Sequence, residues 1–491
     1  MTLPIEQLLL GAAVLLLVSV FSSKISSSVG IPALLVFLFV GMLAGSEGPG
    51  GIPFDNASLS QSLGVIALVV ILFSGGLNTE WRSLQPVLRD GMILATAGVA
   101  LTGGAVGLFL HLVIGFDLLP SLLIGAIVSS TDAAAVFAIL RSRGVRLQNR
   151  LERLLELESG SNDPMAIVLT LTIIQIITLP EISVISVLVF FVQQFVIGGI
   201  GGYLLGRLTV YLINRARLDY DGLYSVLTVG LMLLTYGAVT TIGGNGFLAV
   251  YLAALLIGRE DFIHKRSLLR FHDGLAWIMQ IVMFLTLGLL VFPSQVLATA
   301  GIGLLVSAFL IFIARPASVF LTMAFSGMPV RYLTLISWVG LRGAAPIVLA
   351  TFPLLAGVPD ANAIFNIVFF VVLTSVALQG TTIIPIAKWL GVQADETASK
   401  RPPLEMVVTD ATTKDIVELT IPPNSNVVGH QIVDLHLPDE TLIVLIARGN
   451  DSFVPRGDTI LAAGDLLMVL AQRKCLPRIR EIFATEVVPA Q

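Results

Sequence analysis

The sequence of 491 residues has few charged side chains. They make up 12% of the chain, against about 25% in an ordinary soluble domain, whereas hydrophobic residues make up 56%. This composition excludes a soluble enzyme and a disordered chain. It also excludes a nucleic-acid-binding protein, which needs a concentrated basic face. The sequence therefore predicts a polytopic membrane protein that contacts lipid and binds no nucleic acid.

Signals of other protein classes are missing as well. Cys475 is the only cysteine, which excludes an internal disulfide and a cysteine-cluster metal site. The five histidines show no ligand spacing, and we expect ordinary polar residues in loops, span ends or the tail. The absence of a TVGYG-type filter and of HExxH argues against a potassium channel and an intramembrane enzyme. The N-terminal MTLPIEQ lacks the basic region of a signal peptide, so we expect the first apolar run to remain as a span.

Thirteen apolar runs suit membrane-spanning helices, which need about 20 residues each. The ninth run is short, and all boundaries are approximate. The runs centre on residues 7–22, 29–45, 62–78, 91–111, 119–140, 156–178, 182–206, 222–241, 245–258, 274–292, 296–314, 332–352 and 363–387.

The basic residues give an independent test of this count. With the N-terminus outside, the inner segments carry 18 Lys and Arg and the outer loops carry none. Arg315 is among these 18 and is assigned to an inner loop. We therefore predict an outer N-terminus and a cytoplasmic C-terminus. Thirteen spans also suggest two inverted six-span halves joined by the seventh span, as in many secondary transporters.

Four ionisable residues remain deep within the predicted spans: Asp132, Glu158, Asp163 and Arg342. Each costs roughly 2.5–3.5 kcal/mol on insertion scales unless it is paired or hydrated. Function is the usual reason for such a cost.

The fifth span contains GAIVSSTDAAAVFAI. Ser, Thr and Asp are strong N-caps, because their side-chain oxygens accept free backbone N–H groups. We therefore predict a break and a half-helix that starts just after Asp132, with unwound carbonyls able to bind a cation. The alternative is an uninterrupted helix with a polar face.

The sixth span contains LELESGSNDPMAIVL. Ser159 and Asp163 share one helical face, since they are four residues apart. Pro164 cannot donate to the carbonyl of Gly160, which leaves an acceptor free. Carboxylate, hydroxyl and carbonyl oxygens together suit an alkali cation.

The twelfth span contains ISWVGLRGAAPIVLA, in which two glycines and a proline weaken the helix around Arg342. We predict a second break here. A buried arginine needs a carboxylate, and Glu158 is the natural candidate. The alternatives are Glu158 at the inner interface, where it caps the helix or pairs with Arg153, and Arg342 in a water-filled vestibule.

The motifs SSTDAAAV, ESGSNDP and GLRGAAP, each in its own span and in that order, resemble those of the NhaP-type monovalent cation:proton antiporters. The resemblance covers roughly residues 5–390. It implies an all-α, thirteen-span, dimeric NhaA-like inverted-repeat fold. It also implies a mobile core of spans 4–6 and 11–13, whose two broken helices cross near the ion site.

By motif position, the resemblance implies that Asp163 is the essential carboxylate that binds the ion and the proton. The Asn–Asp pair resembles the electroneutral branch, which exchanges one cation for one proton. The other implied residues are the cation ligands Asp132, Ser159 and the backbone of Thr131, and the supporting residues Asn162, which orients the site, and Glu158, which pairs with Arg342.

Elementary electrostatics agrees with this role for Asp163. Burial disfavours an unpaired carboxylate charge, so the group holds either a proton or a cation. If the core moves only when loaded, exchange is obligatory. The family resemblance, together with that of the tail described below, implies that cytoplasmic K⁺ is exchanged for external H⁺ across a bacterial inner membrane, with Na⁺ as the alternative cation and no cofactor.

The last hundred residues have a different character, with a net charge of −5 over 392–491. The segments NSNVVG and GDTILAAGD and the strand end at Arg448 resemble an RCK C-terminal (TrkA-C) domain. We predict a small α+β domain with strands and a helix over VVGHQIVDL. The resemblance implies a paired domain that binds a small regulatory ligand, often a nucleotide; the alternative is a plain dimerisation module.

The predicted limits are 1–391 for the membrane domain, 392–402 for a linker and 403–491 for the tail domain.

Overall fold

The computed structural model describes residues 4–394 and 414–483, except for 30, 31, 180, 261, 263, 423, 424, 439, 440, 450, 473, 474, 476, 477, 480 and 481. The contacts divide the chain into two units, Met1–Ala394 and Asp395–Gln491. The first is helical and the second is built on a sheet. Each unit is described by itself.

The membrane unit consists of helices joined by short connections. Short helical turns over Trp81–Leu84 and Pro293–Ala298 precede α4 and α12. The main helices are α1 Ile5–Val29, α2 Ala33–Ala44, α3 Ala57–Asn78, α4 Gln85–Ile114, α5 Leu118–Ile127, α6 Ala133–Ser142, α7 Asn149–Thr178, α8 Val184–Arg215, α9 Asp221–Thr241, α10 Gly246–Arg259, α11 Lys265–Leu290, α12 Ala300–Thr322, α13 Val330–Trp338, α14 Ala344–Leu355 and α15 Ala361–Trp389.

Nine of the helices in the described part of the chain are long and apolar enough to cross a membrane. They are α1, α3, α4, α7, α8, α9, α11, α12 and α15. The shorter apolar helices are α2, α5, α10 and α14. Each of the thirteen apolar runs in the sequence coincides with a helix or with a pair of helices. The polytopic helical architecture is therefore confirmed, while thirteen spans and the inverted repeat stay predictions.

The helices form two groups. α1–α3 pack with α8–α11, and α4–α7 pack with α12–α15. The second group contains the segments that the family resemblance implies for the mobile core. The groups meet where α14 packs against α3 and where α7 packs against α8 and α10.

A close helix crossing holds α2 against α11. Gly41 and Gly288 face each other, and a Cβ atom on Gly288 would lie 2.4 Å from the carbonyl oxygen of Leu38. The backbones can approach this closely only because neither residue has a side chain. Small residues serve this purpose widely in membrane helix packing.

The second unit contains a four-stranded antiparallel sheet. Its strands are β1 Lys414–Thr420, β2 Leu442–Arg448, β3 Asp451–Phe453 and β4 Leu466–Gln472, in the order β1-β4-β2-β3. An ion pair supports the end of β2, because the guanidinium of Arg448 donates two 2.7 Å hydrogen bonds to the carboxylate of Asp465. Asp465 is fully buried.

The predicted helix over VVGHQIVDL is wrong. The structure has a 3-10 turn at Ile432–Leu435 instead. Gly429 adopts a left-handed conformation, with φ of 84°. The N–H groups of Gly429 and Ile432 donate to the carbonyls of Leu461 and Thr459. Pairing with this distant segment replaces the local helical hydrogen bonds.

The crossing of α2 and α11 generates a stability prediction. Gly288→Ala should destabilise the protein by about 1–3 kcal/mol, because the added methyl group meets backbone atoms that cannot move aside. Gly274→Ala in the same helix is the matched control, since a Cβ atom added at Gly274 would have no neighbouring atom within 4 Å. The measurement is the melting temperature of the purified protein in detergent. Equal melting temperatures for the two variants would contradict the close packing.

Candidate functional site

The first interruption of a helix, called the first break below, separates α5 from α6. α5 ends at Ile127, and α6 begins at Ala133 with Asp132 as its N-cap. The Oδ1 atom of Asp132 accepts a 2.9 Å hydrogen bond from the N–H of Ala135. The Ser129 hydroxyl donates to the carbonyl of Ala126 and so caps the end of α5. The predicted break and its N-cap are confirmed.

The second break, between α13 and α14, meets the first. α13 ends at Trp338 and α14 begins at Ala344. The N–H of Asp132 donates a 2.8 Å hydrogen bond to the carbonyl of Leu341. Gly343 lies against the Asp132 carboxylate, and a Cβ atom there would be 2.0 Å from Oδ2. The two interrupted helices therefore cross in direct contact.

Two side chains of α7 hold the first break. The Ser159 hydroxyl donates to the carbonyl of Thr131 at 3.0 Å and accepts from the N–H of Ala133 at 2.9 Å. The Asn162 Nδ2 group donates to the Thr131 hydroxyl at 2.6 Å. The predicted ligands Ser159 and Thr131 therefore bond to each other. A second lone pair on the Thr131 carbonyl is left for another partner.

Three buried oxygens beside this network lack a hydrogen-bond partner among the described residues. They are Oδ1 of Asp163, Oδ1 of Asn162 and the hydroxyl of Ser130. The Ser130 hydroxyl lies near the Asp163 carboxyl group, as does the Asp132 carboxylate. Buried polar atoms are nearly always satisfied, so such a cluster calls for an explanation. Oxygen donors of these types suit an alkali cation.

The structure thus brings together the predicted ligands Asp132, Thr131, Ser159 and Asp163, with Asn162 beside them. Ser130 is an addition. In the sequence it has the same signal as its neighbours in the break, and only the geometry separates the cap Ser129 from the unsatisfied Ser130.

The predicted ion pair of Glu158 with Arg342 is wrong. An Nη atom of Arg315 donates a 2.5 Å hydrogen bond to Glu158, and these two side chains are 2% and 1% exposed. The guanidinium nitrogens of Arg342 have no hydrogen-bond partner in the described part of the chain. Arg315 can reach Glu158 because its side chain passes against Gly340 in the second break, where a Cβ atom would lie 2.9 Å from its Nε.

Arg315 is not in a loop, contrary to the assignment made from the basic residues. It lies within the continuous helix α12, just after a π-helical turn over Leu310–Ala314. Pro316 follows it without ending the helix, although proline lacks an N–H donor. The turn accommodates the proline, and α12 runs on to Thr322. The predicted span ended at residue 314, one residue before Arg315.

Pro164 does not interrupt α7, which runs from Asn149 to Thr178. The Pro164 carbonyl accepts a 3.0 Å hydrogen bond from the side chain of Asn245 at the start of α10. The ring of Tyr251, also on α10, lies against Gly160, where a Cβ atom would be 2.4 Å from the hydroxyl. The region predicted to carry a free carbonyl is therefore packed against α10.

One histidine departs from the prediction. His272 lies within α11 and is fully buried. Its Nε2 atom is 2.9 Å from the Thr228 hydroxyl, and its ring packs on Phe73 with centroids 4.8 Å apart. These contacts give it a packing role in the first group of helices.

The ion pair of Glu158 with Arg315 can be tested against the predicted alternative. Arg315→Met should destabilise the protein by about 3–5 kcal/mol, because it leaves a buried carboxylate without its partner. Adding Glu158→Gln should recover much of this loss. Arg342→Met is the control, and its coupling to Glu158→Gln should be much weaker, because the guanidinium of Arg342 makes no hydrogen bond to Glu158. Melting temperatures in detergent measure the two cycles, and coupling to Arg342 but not to Arg315 would contradict the assignment.

Comparisons with known proteins agree with this geometry. The family described as "Sodium/hydrogen exchanger, transmembrane" matches residues 12–389, and the TrkA-C domain matches residues 416–484. The chain is similar to the K(+)/H(+) antiporter NhaP of Alkalimonas amylolytica, with 40% identity over 97% of this chain and 83% of that protein. It is equally similar to NhaP2 of Shewanella sp. (strain ANA-3), with 40% identity over 98% of this chain and 84% of that protein.

The fold also resembles a solved structure. The sodium proton antiporter MjNhaP1 of Methanocaldococcus jannaschii superposes with a TM-score of 0.68 and 25% identity, covering 78% of this chain and 99% of that chain. The relatives are transporters, so the chain is not an enzyme. The chain therefore belongs to the sodium/hydrogen exchanger family, as an NhaP-type cation:proton antiporter that carries a TrkA-C domain.

Proposed function

We propose that this antiporter exchanges cytoplasmic K⁺ for external H⁺, with one cation moved for each proton. The preference for K⁺ is supported by the two relatives at 40% identity, both described as K(+)/H(+) antiporters. Na⁺ is the alternative, because MjNhaP1 is described as a sodium proton antiporter and the same oxygen types bind either ion.

The observation that carries this proposal is the unsatisfied carboxylate oxygen of Asp163 beside the crossing of the two breaks. A buried carboxylate is stabilised by either a proton or a cation, and the two compete for the same oxygens. If the empty anion cannot move across, each movement carries one ligand or the other. Binding competition at Asp163 is then sufficient for coupled exchange.

The neighbouring residues have distinct proposed roles. Asp132 supplies its carboxylate oxygen Oδ2, while Oδ1 keeps α6 in place. Thr131 supplies a carbonyl that Ser159 holds in position. Asn162 uses its amide nitrogen to fix the Thr131 side chain and presents its oxygen to the site.

The balance of the five charges at and beside the crossing of the two breaks supports a one-for-one exchange. The carboxylates are Asp132, Glu158 and Asp163, and the guanidinium groups are Arg315 and Arg342. When all are ionised, the sum is −1. One proton or one monovalent cation restores neutrality, which a low-dielectric site favours.

The larger architecture belongs to the same proposal. We propose thirteen spans in two inverted halves, an outer N-terminus, a cytoplasmic tail, a homodimer and a bacterial inner membrane. The separation of the basic residues other than Arg315 between inner and outer segments supports the orientation. The domain limits of 1–391, 392–402 and 403–491 also stay proposals.

The tail unit is proposed to regulate transport. Its match to the TrkA-C domain supports a small regulatory ligand, with a nucleotide as the favoured class. The alternative role is dimerisation alone.

The role of Asp163 leads to a direct prediction. Asp163→Asn should abolish exchange, because the amide cannot take up a proton or carry the charge that holds a cation. Asp360→Asn is the matched control: Asp360 is exposed, and asparagine tolerates its left-handed backbone. Dye-quench exchange in inverted vesicles, normalised to protein level, measures both. Exchange by Asp163→Asn at the rate of the native protein would overturn the proposal.

The identity of the cation has its own test. Inverted vesicles are energised, and the recovery of dye fluorescence is followed after addition of KCl or NaCl across a range of pH. We expect KCl to give the larger recovery. A larger response to NaCl would select the alternative, and equal responses would make the protein a non-selective exchanger.

A further inference from the structure

The last residues of the membrane unit pair with a loop of the same unit. Leu147 and Gln393 form an antiparallel β-bridge. The N–H of Gln148 donates to the carbonyl of Val392 at 3.2 Å, and the N–H of Ala394 donates to the carbonyl of Arg146 at 3.0 Å. We call this pairing of 392–394 with 146–148 the strap.

The strap holds the connection between the two helices that carry the site carboxylates. α6 begins after Asp132, and α7 contains Asp163. Residues 143–148 are all that joins these helices. A displacement of this short connection is therefore transferred to α6 and α7 directly.

The strap is anchored on both sides. Leu147 is 2% exposed and Val392 is fully buried. The Gln148 side chain accepts a hydrogen bond from the hydroxyl of Tyr332 on α13, the helix that leads into the second break. The strap therefore includes the connection that follows α6 and contacts α13, the helix that precedes the second break.

The covalent path to the second unit starts at the strap. The division between the two units falls directly after Ala394. A pull or a push along the following chain acts first on the hydrogen bond between Ala394 and Arg146. The same segment is also held to the end of α15, because the N–H of Val392 donates to the carbonyl of Ala387 at 3.3 Å and Gly391 turns the chain with a left-handed φ of 62°.

We propose that the strap transmits the state of the TrkA-C unit to the ion site, by shifting the α6–α7 connection and so the separation of Asp132 and Asp163. This inference rests on the proposed antiport function and specifies how it is regulated. The competing interpretation is that the strap only secures the end of α15. In that case, changes in the tail unit would affect the transport rate independently of the strap, or would not affect it.

A double-mutant cycle in the full chain separates the two interpretations. Asp465→Asn weakens the ion pair with Arg448 and so perturbs the tail unit. Ala394→Pro removes the N–H donor of the strap. Ala394→Ser is the matched control, because it keeps the donor and is close to alanine in size.

The readout is cation:proton exchange with KCl in inverted vesicles, normalised to protein level. We expect Asp465→Asn to change the rate at least twofold in the native and Ala394→Ser backgrounds. In the Ala394→Pro background it should change the rate by less than 1.2-fold. An equal effect of Asp465→Asn in all three backgrounds, or no effect in the native one, overturns the proposal.

A second measurement does not depend on transport or on the tolerance of the proline. Leu147→Cys and Gln393→Cys are combined with Cys475→Ser. The two positions form a non-hydrogen-bonded antiparallel pair, whose Cα separation of about 4.5 Å permits a disulfide. We expect Asp465→Asn to change the rate of this cross-link at least twofold, and an unchanged rate overturns the proposal. Absence of exchange by the native chain would reject the antiport function alone, since the cross-link still reports on the strap.

Discussion

The site depends on one backbone hydrogen bond, from the N–H of Asp132 to the carbonyl of Leu341. Both groups lie where a helix is interrupted, so each would otherwise be unsatisfied in an apolar environment, at a cost of several kcal/mol. The bond sets the position of the Asp132 carboxylate, and Gly343 leaves the space for it. Ser159 and Asn162 then attach the same segment to α7, which places Asp163 beside it.

The buried guanidinium groups show how the surrounding structure supports this crossing. Arg315 pairs with Glu158 and passes beneath the second break, so it connects α12, α7 and the chain before α14. Arg342 is held by its backbone instead, since its N–H donates to the hydroxyl of Ser375 on α15. Its guanidinium stays close enough to Arg315 and Glu158 to interact electrostatically with both. Both guanidinium groups therefore lie near Glu158, on the helix that also carries Asp163.

The sequence was sufficient to predict the two breaks and to single out the carboxylates beside them, because the signals for both are local. Capping residues before Ala133 and glycines around Arg342 act within one or two turns of the chain. The partner of Glu158 could not be predicted in this way, because Glu158 lies on α7 and Arg315 on α12, and only the packing of these helices brings the two side chains together. Arg315 was assigned to a loop because it directly follows the apolar run 296–314, and the π-helical turn before it has no simple sequence signal. In the tail, pairing of Gly429 with Leu461 overrode a helical pattern for the same reason: the deciding contact is distant in sequence.

The hydrogen bond between the Asn245 side chain and the Pro164 carbonyl bears on how the two helix groups can move against each other during transport. It joins α10 of one helix group to α7 of the other, and the oxygen of the same amide caps α10 through the N–H groups of Phe247 and Leu248. A translation of α7 along α10 breaks this buried hydrogen bond, and the apolar surroundings provide no water to replace it. A rotation centred near Pro164 leaves it intact. The geometry thus makes this point a natural fulcrum, and the activation barrier should be lower for tilting than for translation.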